Sequence, residues 1–68
     1  MKELKTLRER IKAERIIIGI TQSELCERAG LSETAISQFE CGHRVPCLRN
    51  LIKISDALGI SIDYLLGR

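Results

Sequence analysis

Apolar residues recur along this chain at helical intervals. After Leu4, the positions Leu7, Ile11 and Ile18 follow at steps of three, four and seven, the stripe that an amphipathic helix buries. Gly19 suits the left-handed residue that closes such a helix. Thr21-Gln22-Ser23-Glu24 then forms a capping box, in which Thr21 and Glu24 satisfy free backbone N–H groups reciprocally. Ile20, just before the cap, can staple onto Leu25. The second helix runs from Gln22 to Ala29 and stops at Gly30. Ser32 caps a third, which turns Ile36 and Phe39 inward and ends at Gly42. Pro46 precedes a fourth helix with the stripe Leu48, Leu51, Ile52 and Leu58, closed by Gly59. Ser61 caps a short fifth helix carrying Ile62, Leu65 and Leu66. With no repeat, low-complexity tract or linker, the pattern predicts an all-α fold: a compact five-helix bundle forming a single domain over residues 1–68.

Composition sharpens this picture. The chain has 68 residues, 44% of them hydrophobic and 29% charged, the profile of a soluble globular domain. Its apolar content is ten Ile and nine Leu against one Phe, one Tyr and no Trp. A core this small is marginal, so dense aliphatic packing or association must compensate, and a roomy catalytic cleft is not expected. Net charge is +2, unevenly spread: residues 1–15 hold six basic and three acidic side chains, and the remainder five and six. Nucleic-acid binding is permitted by that balance, not demanded by it. Three cysteines (Cys26, Cys41, Cys47) are an odd number, no leader segment is expected, and the longest apolar run, Ile16-Ile17-Ile18, is too short to span a bilayer. A reduced, cytoplasmic setting without membrane attachment follows as the expectation.

The functional weight falls on the second and third helices. Their turn, Ala29-Gly30-Leu31, places a glycine where positive φ is needed. Cys26 is small enough for a close helix contact, and Leu25, Ala29, Leu31, Ile36 and Phe39 point into the angle. This is the spacing of a helix-turn-helix. The outer face of the third helix then reads Glu33, Thr34, Ser37 and Gln38, side chains of the kind a recognition helix sets against base edges in the major groove. The plainer reading is a solvated polar face.

The run from Gly19 to Pro46, GITQSELCERAGLSETAISQFECGHRVP, followed by LIKISDALGISIDYLL, resembles the Cro and lambda-repressor-like helix-turn-helix family. The TQ-x-ELC-x-x-AGLS core, the F-E-x-G after the third helix and the ALGISIDYLL ending fall in family order, and the likeness spans Leu7 to Leu66. It implies a transcriptional regulator, of the repressor type and from a bacterium or phage. Such a protein binds double-stranded DNA as a homodimer on a near-palindromic operator. By the same resemblance, Gln22 contacts a phosphate and braces the recognition helix, and Glu33, Thr34 and Gln38 read base edges with Ser37 at the groove's rim. His43 and Arg44 grip the backbone from the following loop, and Asn50 holds another phosphate. Arg15 and Glu40 match a structural ion pair between the first and third helices, and the fifth helix helps the dimer form.

Some features depart from that pattern or remain outside it. The recognition helix carries no Lys or Arg, and Glu33 with Glu40 makes it formally negative. Affinity is then expected from helix ends, Arg44, the N-terminal basic residues and dimerisation, with steep salt dependence. Cys47 stands where a better capping residue is usual, which puts the cap of the fourth helix in doubt. Cys41, His43 and Cys47 invite a zinc reading, but C-x-H-x₃-C spacing does not make a four-ligand site, so free thiols and no metal or cofactor are expected. One helix face cannot bury Ile16, Ile17 and Ile18 together. Partial burial against the fifth helix is the simpler expectation, and a partner-contact surface the alternative. One His, no phosphate loop and no nucleophile–base pair leave nothing for an enzyme or a small-molecule substrate. A protein-interaction module on the same scaffold is the other class. What separates it from DNA binding is whether Gln22, Glu33, Thr34, Gln38 and Arg44 converge on one exposed face.

Overall fold

Each expected cap is where the chain turns. The computed structural model describes residues 2–67, with side chains from residue 7 onward. Its helices are α1 (Lys2–Ile17), α2 (Gln22–Ala29), α3 (Glu33–Cys41), α4 (Leu48–Leu58) and α5 (Ile62–Leu66), with no strand among the described residues. At α2 the capping box is complete: Thr21 Oγ1 accepts from the Glu24 N–H at 3.1 Å, and Glu24 Oε1 accepts from the Thr21 N–H at 3.0 Å. The backbone N–H of Thr21, and then its hydroxyl, hold the Glu24 carboxyl below its ordinary pKa. Ser32 and Ser61 cap α3 and α5 through their hydroxyls, each at 3.0 Å. Cys47 does stand at the N-cap of α4, but its side chain makes no capping bond.

Every helix gives apolar side chains to one cluster. Leu7 and Ile11 come from α1, Leu25 from α2, Ile36 and Phe39 from α3, Leu51, Ile54 and Leu58 from α4, and Leu65 from α5. Ile20, the stapling residue before α2, joins them. Burying one such side chain contributes about 1.5–3 kcal/mol, so the cluster is the main favourable term in a domain this small. Around it α1 packs on α3 and α5, while α2 packs on α3 and α4. Among the described residues no helix is long and apolar enough to cross a membrane.

Three expectations of burial are corrected. Ile18 does not extend the α1 stripe: the helix ends at Ile17, Ile18 is exposed in the turn, and Ile20 takes the buried place. Ile16, Ile17 and Ile18 are all exposed, Ile17 by 72%, so α5 does not cover them. On α4 the buried stripe is Leu51, Ile54, Ser55 and Leu58, whereas Leu48 (66% exposed) and Ile52 face outward. Ile52 lies about 100° round the helix from Leu51, off the arc that meets α2. Of the fifth-helix residues, Leu65 is core, Ile62 and Leu66 are half-buried and Tyr64 is exposed. Leu4, Lys2 and Lys5 have side chains outside the described residues, as do Met1 and Arg68 altogether.

Candidate nucleic-acid interface

The site begins at Gly30. This residue follows Ala29 with φ +69°, ψ +33°, and its N–H, with that of Leu31, closes the last turn of α2 onto the Cys26 and Glu27 carbonyls. Two residues later Ser32 starts α3. A left-handed residue in so short a turn swings α3 sharply away from the α2 axis, and an L side chain there is strained. Leu25, Ala29, Ile36 and Phe39 fill the angle and are buried; Leu31 and Cys26 are half-buried against them. The Cys26 thiol donates to the Ser23 carbonyl at 2.9 Å.

A buried ion pair ties α3 to α1. Glu40 accepts from Arg15 Nε at 2.8 Å and from Arg15 Nη2 at 3.2 Å, with side-chain exposures of 3% for Glu40 and 13% for Arg15. Arg15 Nη1 also donates to the Ile20 carbonyl at 2.8 Å, which ties the chain entering α2 to the same guanidinium. The bidentate geometry is the strong form of such a pair. Gln22 Nε2 donates to Glu40 Oε1 at 3.2 Å, so one carboxylate holds α1, α2 and α3 together. Glu40 is thereby neutralised and removed from the outer face of α3. Of the two acidic residues that make α3 formally negative, only Glu33 lies on its outer face.

Gln22, Glu33, Thr34, Ser37 and Gln38 line one shallow, open groove. Arg44 reaches this group from the following loop, its Nη1 donating to Gln38 Oε1 at 3.5 Å. His43 is exposed beside it, and its backbone N–H donates to the Gln38 carbonyl at 3.0 Å. Asn50 lies half-buried in the first turn of α4 and does not line the groove. The five residues whose convergence separates the two function classes therefore meet on one exposed surface. Its polar side chains offer donors and acceptors side by side, with the open end of α2 adjacent.

Two contacts of α1 with later elements have no forewarning in the sequence. The Arg8 side chain lies against Gly42, where an added Cβ would collide with its guanidinium, so the residue that ends α3 also makes room for α1. Arg10 sits 4.7 Å over the Tyr64 ring, and the Tyr64 hydroxyl donates to Glu14 at 3.4 Å, which clasps α5 to α1. A glycine signal was available for the first, but it reads equally as a helix end. The Gln22–Glu40 bond is the contact through which Gln22 touches α3, the helix that the family resemblance has it brace. The cysteines are all free, and among the described residues no three of His, Cys, Asp and Glu gather as a metal-binding group.

Comparison with known proteins locates this arrangement. A family model described as helix-turn-helix matches residues 11–65. The chain is 42% identical over 62 residues to the cryptic phage CTXphi transcriptional repressor RstR of Vibrio cholerae, covering 91% of this chain and 55% of that protein. It spans about half the length, or less, of the curated relatives it matches first. The crystal structure of the P22 c2 repressor in complex with a synthetic operator superposes with a TM-score of 0.84 at 43% identity, covering 88% of this chain and 91% of that one. The restriction-modification controller protein C.AhdI of Aeromonas hydrophila superposes with a TM-score of 0.89 at 28% identity, over 96% and 98% of the two chains.

Proposed function

Since this chain belongs to the helix-turn-helix family, in its Cro and lambda-repressor-like branch, we propose that it is a transcriptional regulator that binds double-stranded DNA sequence-specifically. It acts as a repressor, as a homodimer on a near-palindromic operator, in the reducing cytoplasm where its three thiols stay free. Residues 1–68 work as one DNA-binding unit, not as an enzyme. The observation that carries this reading is the convergence of Gln22, Glu33, Thr34, Ser37 and Gln38 on a single open groove with Arg44 at its edge.

The roles follow from chemistry and placement. α3 enters the major groove, where Glu33 accepts from cytosine N4, the Thr34 methyl meets a thymine methyl and Gln38 reads a purine edge, with Ser37 at the rim. Gln22 donates to a phosphate beside the free N–H groups that open α2. Arg44, His43 and Asn50 hold the backbone on the other flank. With one acidic side chain on the reading face and few cations near it, a lone copy binds weakly, and two copies place their α3 helices in successive major grooves about 34 Å apart. The exposed apolar residues Val45, Leu48, Ile52 and Tyr64 support association between copies.

Selection of bound sites from random duplex DNA tests the reading. A near-palindromic motif is expected, and Gln38→Ala should lose about 1–3 kcal/mol on the selected site while relaxing base choice at one position. Absence of any enriched motif would leave the scaffold as a protein-interaction module.

A further inference from the structure

We infer that Arg44 determines which base edge Gln38 reads; this rests on the DNA-binding reading above and names a specificity role for a residue assigned so far only to the backbone. The starting point is the contact between Arg44 Nη1 and Gln38 Oε1 at 3.5 Å. A guanidinium only donates, so it meets the oxygen of the glutamine amide and not the nitrogen. The Gln38 NH₂ group is therefore the end that Arg44 leaves unengaged, on a residue that lines the groove.

The backbone holds the two residues in this relation. The N–H groups of Gly42, His43 and Arg44 all donate to the Gln38 carbonyl, the latter two at 3.0 and 3.3 Å. Gly42 takes φ +84° to make that possible, and the Arg44 guanidinium lies 6.0 Å from the centre of the Phe39 ring. The loop thus folds back over the last turn of α3, and Arg44 is anchored through its main chain to the residue its side chain orients.

The consequence is chemical. A freely turning glutamine matches adenine with both atoms: its oxygen accepts from N6 and its NH₂ donates to N7. A glutamine whose oxygen is engaged by Arg44 leads with its NH₂ and matches the two acceptors of guanine, N7 and O6. Arg44 keeps further N–H groups for a phosphate, so one side chain links backbone contact to base choice.

Competition among operator duplexes differing at one position tests this. That position is the one where Gln38→Ala loses its preference. The wild-type protein should favour guanine there. Arg44→Ala should shift the guanine-to-adenine binding ratio toward adenine by about fivefold or more, while in a Gln38→Ala background the same substitution should lower affinity without changing the ratio. Equal weakening on all four bases by Arg44→Ala, or a wild-type preference for adenine, would overturn the inference and return Arg44 to the backbone alone. A wild-type protein with no sequence preference at all would overturn the DNA-binding reading itself, and the inference with it.

Discussion

Single side chains in this protein often serve two elements at once, and substitutions at them separate the roles. Gly30 is needed only for its left-handed backbone, because nothing lies within 4 Å of where its Cβ would be. Gly30→Ala should cost about 1–2 kcal/mol, and Gly30→Asn less, since asparagine tolerates that conformation. Chemical denaturation measures both, and equal losses would place the demand in space and not in φ. Arg44, exposed at the groove's edge, is expected to set part of the ionic term: Arg44→Ala should flatten the slope of log affinity against log salt by about one. An unchanged slope would take it off the phosphate list. Gly30 was legible because its demand is local, a turn that needs positive φ, whereas the role of Arg44 came from the family resemblance. The Arg44–Gln38 contact was not legible, because it depends on how the loop after Gly42 folds back over α3.

At the level of elements, Glu40 is the joint. It receives Arg15 from α1 and Gln22 from α2 while sitting on α3, so one carboxylate fastens three helices. Glu40→Leu alone should destabilise the fold by about 3–5 kcal/mol by stranding a largely buried guanidinium. The double variant Arg15→Met with Glu40→Leu should recover much of that stability yet bind DNA less well, because α3 and Gln22 lose their common anchor. Thermal unfolding read beside operator binding checks it, and a double variant with full affinity would make the pair purely structural. The pair itself was expected from the family pattern, whereas the face it occupies was not. Counting charges along α3 makes the helix formally negative twice over, but packing buries one of the two and pairs it with Arg15.

The whole molecule is a thin aliphatic core with polar chemistry on one flank and apolar residues left outside. Ile16, Ile17, Val45, Leu48 and Ile52 are exposed in a domain that can spare little apolar surface. The proposed homodimer would cover part of that exposure and would also compensate for an α3 face without cations. A duplex carrying two half-sites should therefore bind about a hundredfold or more tightly than one carrying a single half-site, by effective concentration. Titration of both duplexes at matched salt decides the point, and equal affinities would describe a monomeric reader. Periodicity placed every helix but misjudged Ile18, Leu48 and Ile52, since a stripe tells which positions share a face and not how far the neighbouring helix extends over it.

Caps, glycine turns and helical spacing involve residues three or four apart, and their hydrogen bonds and dihedral needs are written in consecutive letters. The order of five helices, the bend at Gly30 and the polar set on α3 were therefore decided by the amino-acid order itself. Tertiary packing decided what joins residues far apart in the chain: Arg8 against Gly42, Gln22 on Glu40, Arg10 over Tyr64, and which isoleucines meet water. Those contacts exist only after the helices have docked, because burial and shape, not neighbouring residue types, select them.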